Sequence, residues 1–144
     1  MTDPNVELKL QLKSEARQAV LRADPTEVPR LVLIGIDGPS QYLMGLFAPM
    51  SLLLINTYFI TVTNRSVYVH RGPRLRNRPE NLLHVIPLAQ ADGLVTRVKR
   101  GNAWNALYLQ FPGNAKPTRL NISFHLGDEM DRFLKKFPEG AVHA

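Results

Sequence analysis

Residues 57–72 read TYFITVTNRSVYVHRG, and this stretch decides the fold. Tyr58, Ile60 and Val62 alternate with Phe59, Thr61 and Thr63. Val67 and Val69 then alternate with Tyr68 and His70. A period of two in β-branched and aromatic residues suits a pleated strand, whose successive side chains point to opposite faces. Asn64 and Arg65 separate the two runs. The spacing therefore predicts a hairpin over residues 58–71, with Asn64 suited to the left-handed backbone that two-residue turns require.

Toward the N-terminus, residues 30–36 (RLVLIGI) read as a buried strand, stopped by Asp37-Gly38-Pro39-Ser40. The run from Asp3-Pro4 to Arg22 supports two assignments. Val6, Leu8, Leu10 and Leu12 alternate with polar residues, as in a strand. Leu8, Leu12, Ala16, Ala19 and Val20 fall on one helical face, and Asp3-Pro4 resembles a helix start. The helix is the better reading, because neither glycine nor further proline interrupts it. Toward the C-terminus, residues 72–81 (GPRLRNRPEN) read as a loop, followed by strands over 83–88, 93–99, 104–111 and 118–124. Residues 127–137 read as an amphipathic helix with Met130, Phe133, Leu134 and Phe137 on one face. Asp128 and Glu129 in its first turn and Lys135 and Lys136 in its last complement the helix dipole.

Between the first strand and the hairpin lies an apolar stretch that starts at Tyr42 and ends at Ile55 (YLMGLFAPMSLLLI), with Gly45 and Pro49 inside. As a helix it would span about 21 Å, short of the ~30 Å hydrocarbon core of a bilayer. One reading is a buried helical insertion covering a barrel mouth. The other is a segment that dips into a membrane face or forms a homo-oligomer contact.

The order of seven strands closed by an amphipathic helix resembles that of pleckstrin-homology-like domains. TYFITVTNRSVYVHRG is similar to the hairpin of bacterial members of that family. HVIPLAQADGLVTRVKRGNAWNALYL resembles the following strands around a basic, glycine-bearing turn, and LGDEMDRFLKKFP resembles the capping helix. The resemblance implies a mainly β fold: a seven-stranded barrel capped by a C-terminal helix. The N-terminal helix and the apolar insertion are additions to it. Residues 1–25 then form a helical extension and 26–140 the domain. Lipid-binding members carry their basic ligands between the first two strands, where this chain is apolar.

The net charge of +6 is concentrated. Residues 65–100 hold eight basic residues and two acidic ones, and the remainder of the chain is balanced at ten of each. Arg71, Arg74, Arg76 and Arg78 form one basic loop; Arg97, Lys99 and Arg100 form a second basic tip, followed by Trp104. Guanidinium forks match phosphate oxygens bidentately, and a tryptophan beside cations suits a lipid interface or base stacking. The plainer alternatives are a solvated loop and a tryptophan that fills the barrel end.

With no cysteine, thiolate catalysis and cysteine-type metal sites are excluded. His70, His84, His125 and His143 show no metal-binding spacing, and the glycine-rich phosphate loops, G-x-S-x-G and H-E-x-x-H are absent. The start MTDPNVELKLQLK lacks the apolar core of a secretory signal. The expectation is a cytoplasmic, non-enzymatic binding module, without metal or cofactor, peripheral to a membrane in one version. It would engage an anionic membrane surface or a protein partner through its basic face. The same arginines also suit nucleic acid.

Overall fold

The computed structural model describes residues 4–37, 55–74 and 76–140. The elements are α1 (Pro4–Ala23), β1 (Pro29–Asp37), β2 (Asn56–Thr63), β3 (Ser66–Pro73), β4 (Asn81–Pro87), β5 (Val95–Lys99), β6 (Trp104–Leu109), β7 (Thr118–Ser123) and α2 (Gly127–Lys136). The seven strands form one antiparallel sheet in the order β4-β3-β2-β1-β7-β6-β5, curled into a half-barrel. The apolar stretch from Tyr42 lies outside the described residues up to Leu54; its last residue, Ile55, is buried.

β1 makes the curl. It pairs with β2 from Pro29 to Ile36 but meets β7 only at Ile36 and Asp37, so the two halves of the sheet diverge below that corner. Gly35 permits the close approach there. A Cβ on it would lie 2.7 Å from Ile122 Cδ1 and 2.9 Å from Leu120 Cβ.

Both faces of β1 and β2 are buried. One set, with Leu33, Ile60, Val69, Leu107, Leu120 and Ile122, belongs to the main core, which Met130 and Phe133 from α2 and Phe137 just past its end complete. On the opposite face α1 packs over β1 and β2. The buried stripe of α1 is Lys13, Ala16, Ala19 and Val20, with Leu12 half-buried, whereas Val6, Leu8 and Leu10 remain exposed. The strand-like alternation at the start of α1 is therefore a row of unburied apolar residues, and the helical stripe fixes the element.

The two helices are joined through Glu129. It is 3% exposed and accepts from Lys13 at 2.8 Å, with Lys9 at 3.0 Å. Burial pushes this carboxylate up, but the hydrogen bonds from Lys13 and Lys9 outweigh it and hold it below its usual range.

The hairpin turn differs from the sequence expectation. Neither Asn64 nor Arg65 takes a positive φ, and the last strand pair is Val62 with Val67, which leaves a four-residue loop. Thr63 organises it: its hydroxyl accepts from the Arg65 and Ser66 amides and donates to the Ser66 carbonyl. Loops of this length are commonly built on turns that need no left-handed residue.

The sheet has two edges. At β5, Glu139 Oε2 accepts from the Val98 amide at 2.8 Å and the Gly140 amide donates to Val95 O. β4 is mostly exposed, with Leu82 and Val85 facing solvent.

Candidate functional site

β5, β6 and β7 contain no acidic residue. Their register sets one outward face. Arg97 lies opposite Tyr108 and Lys99 opposite Ala106. Tyr108 in turn faces Arg119, Ala106 faces Asn121 and Trp104 faces Ser123. Alternation thus places three cations and two aromatics on one side of three strands.

Tyr108 is held between two guanidinium groups, with Arg97 at 5.6 Å and Arg119 at 5.7 Å from its ring centroid. Such cation–π contacts fix flexible arginines without neutralising them. Arg119 Nη1 also donates to the Tyr108 hydroxyl at 3.1 Å, and its buried Nε has no hydrogen-bond partner.

Beside this face is a cleft of about 170 Å³ lined by Lys99, Arg100, Trp104, Asn105, Arg119 and Asn121 among others, with no carboxylate among the described residues in its lining. Arg100 reaches away to an exposed ion pair with Asp131 at 2.9 Å. The β5–β6 turn is held by the Gly101 amide donating to Asn105 Oδ1 at 3.1 Å.

Trp104 packs on Ile36 and Ile55, in a small cluster separate from the main core. It is half-buried on the sheet's outward face, with one side on the cation cleft. On its other side a groove of about 180 Å³ runs between α1 and β1, and Arg74 lines it. Burial pushes the Arg74 guanidinium below its usual value.

The two basic tips are thus brought together in part. Arg74 joins Lys99 and Arg100 around Trp104. Arg71 lies across from Tyr58 and shares that residue's sheet face, opposite the one bearing His70. Arg76 is held by Glu80 through bonds of 2.6 and 3.0 Å. Arg78 lines a separate shallow cleft with Glu15, Arg22 and Glu80. Arg65 is tied to Glu27 at 3.1 Å and Asp24 at 3.2 Å.

The loop carrying Arg74 to Arg78 is folded back on β3. Asn77 takes a φ of 53°, and the buried Thr57 hydroxyl donates to its Oδ1 at 2.6 Å. Gly72 leaves room for Arg78 O, which would lie 1.7 Å from a Cβ.

Tyr108 and Arg119 were absent from the sequence candidates. Period-two spacing from Trp104 points to Tyr108. Arg119 becomes visible only through the β6–β7 register. Among the described residues no group of three or more metal-ligating side chains is gathered. No helix among them is long and apolar enough to cross a membrane.

No family model, curated protein or solved structure matches this chain.

Proposed function

We propose that this chain is a non-enzymatic, pleckstrin-homology-like binding module that docks peripherally on an anionic membrane surface through the outward face of β5–β7. One observation carries the reading: Arg97, Lys99 and Arg119 share an acid-free sheet face with Trp104 and Tyr108. Cations close to an anionic leaflet each gain about 1 kcal/mol, and aromatic rings with a polar edge favour the headgroup layer.

A nucleic-acid backbone would suit the same cations. The membrane is favoured by the chain around Trp104. Residues 38–55 carry no charge, and Ile36 and Ile55, near the two ends of that run, both pack beside Trp104. The apolar pair Ile36 and Ile55 beside a cationic face matches the layered chemistry of a bilayer surface better than that of a uniformly charged polymer.

The test is sedimentation with vesicles of phosphatidylglycerol in phosphatidylcholine, over a salt series, beside a single-stranded DNA titration. Binding to the anionic vesicles should weaken as salt rises, and neutral vesicles should not bind. An R97Q/K99Q variant should bind them about tenfold or more weakly. DNA binding tighter than vesicle binding would transfer the face to nucleic acid. Vesicle binding unchanged in the variant would refute its role.

A further inference from the structure

The groove on the far side of Trp104 has a chemistry distinct from the cation cleft. Its walls are Leu8 and Leu12 from α1, Ile34 and Ile36 from β1, Leu126 and Trp104. Its polar groups are Arg74, Asn121, Ser123, His125 and Lys9, and no carboxylate among the described residues lines it. Lys9 is already committed, to Glu129 at 3.0 Å and to His125 O at 3.2 Å. Arg74 differs: it is half-buried in the groove wall, and it forms no ion pair among the described residues.

A half-buried cation beside apolar walls, unpaired among the described residues, favours a ligand that supplies the missing charge. The walls favour an alkyl chain. At about 180 Å³ the groove is smaller than the ~300 Å³ lower bound of ordinary small-molecule sites, which suits a single unbranched chain better than a ring system.

We infer that this groove binds an anionic amphiphile, an alkyl chain ending in a carboxylate, with the tail against Leu8, Leu12, Ile34 and Ile36 and the head on Arg74. A carboxylate can accept two parallel bonds from a guanidinium fork. Charge complementarity selects this occupant over a second apolar protein segment, which would leave Arg74 uncompensated. The site requires no membrane and goes beyond the vesicle-docking reading.

Trp104 is the chain's one tryptophan and lines the groove, so its fluorescence reports occupancy directly. The experiment titrates the full chain with sodium octanoate below its micelle concentration, and with octanol as the uncharged counterpart. Octanoate should shift Trp104 emission saturably and bind about tenfold or more tightly than octanol. Arg74→Gln should remove that preference, and Arg74→Lys should keep part of it, because the charge remains while the fork is lost. Leu8→Asp, at an exposed helix position, should weaken octanoate without disturbing the thermal melt.

Three results would overturn the inference. One is no saturable response in the wild-type chain, as expected if the chain's own apolar residues fill the groove. The second is equal affinity for octanoate and octanol. The third is full octanoate affinity in a folded Arg74→Gln variant.

Discussion

Acidification should destabilise this protein through His70 before its carboxylates titrate. His70 sits on the α1-covered face of β3. It is 4% exposed, and its Nδ1 has no hydrogen-bond partner. Desolvation, and then the positive charge of Arg22 on α1, push its pKa down to about 4 from an ordinary 6.5. Above pH 6.5 the ring is neutral in both states and the full stability is present. As the pH falls below 6.5 the unfolded chain takes up a proton that the folded one refuses until about pH 4, so stability is lost across that window. At pH 5.0 a shift of this size is worth about 2 kcal/mol. Residual water access around the ring brings the expected loss to about 1–2 kcal/mol. Asp24, Glu80 and Glu129 are all held below their usual ranges, so their own losses fall mainly lower. Urea melts of the wild type and of His70→Leu at pH 7.5 and 5.0 isolate the effect, because any cavity introduced by the substitution cancels in the pH difference. The wild type should lose about 1–2 kcal/mol, and the variant less than half of that. An equal pH loss in both proteins would refute the assignment.

Gly72→Ala should push the Arg78 carbonyl away by more than 1 Å, since an approach of 1.7 Å must relax to ordinary contact. The cost is about 1–3 kcal/mol, read as a lower melting temperature with NMR shifts concentrated in residues 74–80. Phe133→Ala should cost about 3–5 kcal/mol in denaturant melts, because this ring is fully buried and packs tilted against Phe137 at a centroid distance of 4.9 Å.

The elements were legible where side-chain type repeats at the element's own period, even in β2, whose two faces are both buried. Met130, Phe133 and Phe137 gave α2 its helical period, and the Tyr58–Val69 alternation gave the central hairpin, because the packing that buries them obeys the same period. The turn at Asn64 and Arg65 was legible in position but not in conformation, since the Thr63 hydroxyl competes for the amides that would otherwise define a shorter loop. The site was half legible. Charge density grouped Arg97, Lys99 and Arg100, of which Arg100 reaches away to Asp131, and it weighted Arg76 and Arg78 equally with Arg74. Arg76 meets Glu80 only four residues away, whereas Glu27 reaches Arg65 across 38 residues, which no local reading shows. Arg119 was hidden for the same reason, because strand pairing and not sequence proximity sets it beside Tyr108.

Glu139 and Gly140 hold β5 by its outer backbone groups. Those two residues look like an afterthought to the terminal helix, yet they occupy the hydrogen-bonding positions that a foreign strand would take. A chain cut back to Phe137 would keep every core side chain and still expose a naked amide ladder. Self-association of such a truncated protein would then trace to two lost edge contacts, with its interior untouched.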